Sequence, residues 1–209
     1  MTRVAAVLLA LLVAAPAVAQ PRPRAGAARS ARLVARGEAF LASGDRGSAI
    51  AFFRDAIGAD PMNARAYVSL GEAYRARGSL QDSRTVLEAG LSRSPDEPTL
   101  WLALVRTLVD MDRPDDAARA LRSLLARRPD HAEAMRLRAE LARERGAWSE
   151  ALTAYRALLS SDVDLSDEER AELRRYESAL RVLARPLDPV SAARACSGSA
   201  LRRALGRCR

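Results

Sequence analysis

The chain has no lysine; all 34 of its basic residues are arginine. With its abundant alanine, this points to a GC-rich bacterial genome more than to a function. Histidine occurs once, at His131, and a lone histidine without nearby cysteines cannot supply the three or four ligands of a zinc site. Its place just after Pro129-Asp130 suits a solvated or helix-capping role. No serine or cysteine has a base at nucleophile spacing, and no glycine-rich loop is available to cradle a phosphate. The paired carboxylates Asp115-Asp116 and Glu168-Glu169 fall at helix starts, where acids favour the positive end of the helix dipole. Aromatic residues make up only 4% of the chain, too few to interleave with arginine on a nucleic-acid-binding face. These absences leave a non-enzymatic reading, with no cofactor, metal or nucleic acid expected.

A membrane-spanning stretch is also missing. The longest apolar run, Val4 to Ala15, falls short of the roughly 20 residues a spanning helix needs, and Pro16 and Gln20 cut it off. Preceded by Thr2-Arg3 and followed by Ala17-Val18-Ala19, it reads as a cleaved signal peptide over residues 1–19. No cysteine follows that site, so lipid attachment is not expected and the mature protein should begin at Gln20, periplasmic or secreted. Only two cysteines occur, Cys196 and Cys208. An oxidising compartment and an even count favour one intramolecular disulfide between them, with unpaired or intermolecular thiols as the alternative. Unbroken helix would hold them about 18 Å apart, so pairing needs the break that Ser197-Gly198-Ser199 offers.

The net charge of +8 is not spread over the chain. All 26 acidic residues lie between Gly37 and Asp188, against 23 arginines there. The basic excess sits at the ends, in Arg22, Arg24, Arg29, Arg32 and Arg36 and in Arg194, Arg202, Arg203, Arg207 and Arg209. The body is mildly acidic and both ends are basic.

The dominant positive feature is a period. Pro61, Pro95 and Pro129 lie 34 residues apart, and the same spacing links Gly37 with Gly71, Gly44 with Gly78, and Ala49 with Ser83, Ala117 and Ala151. A fixed period of this size marks stacked supersecondary units, each buried only by its neighbours. Units placed at 30–63, 64–97, 98–131 and 132–165 align their internal residues. The second reads Tyr67, Leu70, Gly71, Tyr74, Ser83, Leu87 and Pro95; the third reads Trp101, Leu104, Leu108, Ala117, Leu121 and Pro129. The first gives Leu33, Gly37, Phe40, Ala49, Phe53 and Pro61; the worn fourth gives Met135, Ala139, Ala142, Ala151 and Tyr155, with Val163 where proline belongs. Apolar residues three and four apart make one helix face, small residues allow close helix approach, and the glycines at 44, 78 and 146 suit left-handed turns. In the third unit Asp112-Arg113-Pro114 supplies that turn.

In these residues the chain resembles the tetratricopeptide repeat. The resemblance implies an all-α fold, a right-handed superhelical solenoid of antiparallel helix pairs with about four units. Residues 20–29, rich in Pro, Ala and Arg, read as a linker. Ser166 with Glu169 makes a capping box that opens a helix over 166–185, expected to close the open apolar end of the array. Residues 186–209 form a basic tail.

The resemblance also implies a concave groove lined by the first helix of each unit. Carried over by position, the groove residues are Val34, Glu38 and Leu41 in the first unit, and Arg65, Val68, Glu72 and Arg75 in the second. The third unit supplies Leu102, Arg106 and Asp110, together with Val109, and the fourth supplies Arg136, Glu140 and Arg143, with Glu144 beside them. The family's chaperone-tail clamp needs a basic fifth and an asparagine ninth residue in its first unit. Val34 and Glu38 stand there, so a peptide carboxylate is not the expected ligand. A helix or extended segment of another protein suits the lining better, in a scaffold or assembly adaptor of the bacterial cell envelope. The alternative is a protein that contacts an anionic envelope lipid or polymer through its Arg-rich ends.

Overall fold

The period seen in the sequence is the period of the helices. The computed structural model of the chain describes residues 26–183. The expected signal peptide, Arg22 and Arg24, the Cys196–Cys208 pair, the arginines from Arg194 onward and residues 184–185 of the expected final helix lie outside the described residues, while Arg29, Arg32 and Arg36 fall in the first helix.

Nine helices and no strands occur among the described residues: α1 (Ala27–Ala42), α2 (Arg46–Ala59), α3 (Ala64–Ala76), α4 (Leu80–Arg93), α5 (Pro98–Asp110), α6 (Pro114–Arg127), α7 (Ala132–Glu144), α8 (Trp148–Ser160) and α9 (Asp167–Leu183). Helices α2, α4, α6 and α8 begin 34 residues apart, and so do α3, α5 and α7. Each helix packs on the next, while α3 also touches α1 and α5, so the first helices of successive units form an inner layer. Helix α1 opens at Ala27, three residues before the expected unit boundary. Its extra turn is anchored because Ser30, fully buried, donates to the Ala56 carbonyl at 2.7 Å and accepts from Asn63 at 2.8 Å.

The turns follow from residue type. Gly44, Gly78 and Gly146 adopt φ of 86°, 83° and 67°, the left-handed region glycine reaches without steric cost. The equivalent third-unit position is Asp112, at φ 55°; a short polar side chain tolerates this region better than most. Pro61, Pro95 and Pro129 follow the non-helical residues Asp60, Ser94 and Arg128, which end α2, α4 and α6. His131 caps α7, its Nδ1 accepting from the Ala134 amide at 3.3 Å.

Packing is carried by a chain of apolar clusters. Val34, Phe53, Leu70 and Tyr74 join the first two units. Leu87, Leu100, Leu121, Leu124 and Leu158 run through the middle, and Ala139, Ala151, Tyr155 and Leu180 tie α9 to the fourth unit. Full burial of one such leucine contributes about 1.5–3 kcal/mol. Close approach depends on small residues: a Cβ added at Gly71 would fall 2.8 Å from Leu87. Helix α9 packs on α8 as α5 packs on α4, the place of a first helix in a fifth unit. Its capping box forms, Ser166 N–H donating to Glu169 at 2.9 Å and Glu169 N–H to the Ser166 hydroxyl at 3.2 Å.

Candidate functional site, the inner face of the first helices

Charges on the inner face are paired across units rather than along a helix. Arg65 of α3 forks onto Glu38 of α1, with contacts of 3.1, 2.8 and 2.9 Å. Arg75 reaches Asp110 of α5 at 2.8 Å. Arg106 of α5 stands between Glu133 at 2.9 Å and Glu72 at 3.5 Å. Arg136 of α7 meets Glu169 of α9 at 2.9 Å. Each pair is exposed, so it contributes modestly, about 0–1 kcal/mol. Collectively the pairs fix which charges remain for a visitor.

Two expected groove residues are corrected by burial. Val34 and Leu102 are only 1% and 5% exposed, because the close stacking of first helices draws their side chains into the core. Leu41 and Val68 are half-buried, while Glu38, Arg65, Glu72, Arg75, Arg106 and Asp110 stay accessible within their pairs. Arg136 and Arg143 are engaged away from their own helix. Arg136 is engaged by Glu169. Arg143 lies over the Tyr176 ring, 5.5 Å from its centroid, and beside the Tyr155 hydroxyl, which holds its guanidinium above its ordinary value. Burial pushes the Tyr155 hydroxyl up, and Arg143 pulls it partly back.

Three clefts open between successive first helices. The widest, about 660 Å³, lies at the starts of α1, α3 and α5 and includes Met62, Arg65, Val68 and Thr99. The second, about 160 Å³, lies between α5 and α7 over Val105, Val109, Leu137 and Leu141, with Glu140 and Glu144 at its edge. The third, about 170 Å³, lies between α7 and α9 and includes Arg136, Glu140, Arg143, Tyr155 and Tyr176. Met62, Val109 and Tyr176 are the exposed large apolar side chains among the described residues, and each lines one of these clefts. Sequence reasoning missed Leu137, Leu141 and Tyr155, since it carried over only fixed positions of each first helix; Leu137 and Leu141 fall between them and Tyr155 is on α8. Arg136, Glu140 and Arg143, carried over by position, were the sequence signal for the third cleft. No cluster able to hold a metal occurs among the described residues, and no helix among them is long and apolar enough to cross a membrane.

A stack of antiparallel helix pairs with clefts between its first helices defines a helical-repeat protein of the kind that binds peptide or protein partners. A tetratricopeptide repeat profile matches residues 34–98 and 102–165, and the chain belongs to that family. No curated protein matches the chain. Among solved structures, a tetratricopeptide repeat protein from Parabacteroides merdae superposes with a TM-score of 0.60 at 18% identity, covering 84% of this chain. The chain spans 65% of that protein's length. MamA gives a TM-score of 0.54 at 20% identity, over 70% of this chain and 92% of its own. The first such domain of Spaghetti (RPAP3), bound to the HSP90 peptide SRMEEVD, gives 0.51 at 14% identity, over 56% and 96%. These are likenesses of fold.

Proposed function

We propose that this chain is a non-enzymatic scaffold or assembly adaptor of the bacterial cell envelope, holding a segment of another protein along its inner face. The observation that carries this reading is the coincidence of exposed apolar side chains with clefts: Met62, Val109 and Tyr176 each open into the inner layer. Apolar anchors set in pockets and rimmed by charge suit the insertion of side chains from a helix or extended strand. Spaghetti's HSP90 peptide illustrates a ligand of that general size. Here Val34 is buried and Glu38 holds Arg65, so recognition of a peptide carboxylate is not part of the proposal. The envelope location is supported by the apolar run and Ala17-Val18-Ala19 site of residues 1–19.

Photocrosslinking in intact cells tests the reading. A photoreactive residue at Leu41, Val68 or Val109 should join the chain to one common partner, while the same residue at Arg84 of α4 or Arg119 of α6 should not. Equal capture from both sets, or none from the first, overturns it. Amino-terminal sequencing of the protein recovered from cells should begin at Gln20; an intact Met1 would remove the envelope part.

A further inference from the structure

One stretch of the inner face departs from its pairing rule. Glu38, Glu72, Asp110, Glu133 and Glu169 each hold an arginine of a neighbouring helix. Glu140 and Glu144, one turn apart on α7, have no ion pair among the described residues, and like charges at that spacing repel. They edge the α5–α7 cleft, where Val109 is 44% exposed. An apolar floor beside two carboxylates that lack an ion pair, Glu144 being attracted only by its chain neighbour Arg143, is the complement of a segment that carries leucine and arginine together.

The chain contains such a segment. Residues 189–209 include Arg194, Arg202, Arg203, Arg207 and Arg209, no acid, and Leu201 and Leu205 four apart. Its point of departure is suitable. Arg136 meets Glu169, and Arg143 lies over Tyr176, so α9 runs parallel to α7. It continues to Leu183, past the level of Glu144, and therefore ends at the same side of the array as the carboxyl halves of α5 and α7. Glu140 lines both the α5–α7 and the α7–α9 clefts, which places the target about one helix width, roughly 8–10 Å, from α9. At up to about 3.5 Å per residue, the residues between Leu183 and Leu201 can cover that distance with slack.

We propose that residues 189–209 of this chain dock in the α5–α7 cleft, with Leu201 and Leu205 on the Val109 floor and the adjacent arginines on Glu140 and Glu144. The inference rests on the inner face being a docking groove and adds that the chain holds a competitor for its own partner.

The test uses a fluorescent peptide of residues 189–209 with Cys196→Ser and Cys208→Ser, followed by anisotropy at low salt. Three proteins are compared: the full chain, a chain ending at Asp188, which keeps every described helix, and that shorter chain with Glu140→Gln and Glu144→Gln. The shorter chain should bind the peptide. The full chain should bind it roughly 100-fold more weakly, because a tether supplies an effective concentration of order millimolar. The double Gln variant, with a circular dichroism spectrum matching its parent, should lose at least about tenfold. Absence of binding to the shorter chain, equal binding by full and shorter chains, or unchanged binding by the Gln variant overturns the proposal. A concentration-dependent dimer of the full chain that disappears on shortening overturns it in favour of a second copy as occupant. Partner crosslinking from Leu41 and Val68 does not involve this cleft, so failure here is distinguishable from failure of the groove itself.

Discussion

At Gly71 the absence of a side chain is a packing requirement. The Leu87 side chain already occupies the space a Cβ would need, and fully buried Ala117 is the small residue at the packed position of α6. Gly71→Leu and Ala117→Leu should each cost about 1–3 kcal/mol or more through overpacking, lowering Tm by roughly 2–12 °C; thermal melting followed by circular dichroism checks this, and an unchanged melt for both contradicts the packing register. These positions were legible because the steric demand recurs every 34 residues and each recurrence reinforces the last. The buried polar link between Ser83 and Thr107, 3.0 Å apart with Thr107 also donating to Ala103, was not. It occurs at one junction only, between the second and third units, and neither residue type announces a buried partner.

Among the elements, α9 adds a cap and carboxylate pairs to its apolar packing on the fourth unit. Glu177 accepts from Arg181 on its own helix at 2.8 Å and from Arg156 of α8 at 3.0 Å. These hydrogen bonds, Arg181's the larger, lower its pKa below the ordinary 4.5. A depressed folded-state pKa adds stability above the unfolded value, and that stability is lost as pH falls through the folded value. Glu169 is lowered in the same sense, chiefly by the Ser166 amide. Amide exchange in α8 and α9 should therefore quicken relative to α3–α6 as pH drops below about 4. Glu177→Gln should flatten that dependence. A pH profile identical to that of the parent chain would show that the carboxylate does not secure the helix. The cap was legible from Ser166 and Glu169 alone, since it is local; the Arg156 contact depends on how α8 and α9 lie together, and no spacing in the sequence encodes that.

At the scale of the whole molecule, the array was legible and the disposition of its inner charges was not. A reading by position places Arg65, Arg75 and Arg106 in the groove without their partners, and glutamate at those places would face Glu38, Asp110, Glu72 and Glu133. Glutamine removes the charge without that repulsion. Arg65→Gln, Arg75→Gln and Arg106→Gln together should keep the helical spectrum and cost at most about 4 kcal/mol in all, while the triple glutamate variant should melt lower. A glutamate triple as stable as the glutamine one would mean the pairs are not formed in solution. The turns at Gly44 and Gly78 have nearly the same φ, and the helices beyond them start at equivalent places. They therefore act as interchangeable splice points. Removing residues 45–78 joins Gly44 to Ser79, brings α4 behind α1 as its new companion, and leaves every later junction as it was. Stability of such an array is close to a sum over units and their contacts. The spliced chain should still fold, with a helical signal reduced in proportion and a lower melting temperature. A lineage could thus shorten or lengthen the groove in whole steps, by recombination between turns, without redesigning any helix.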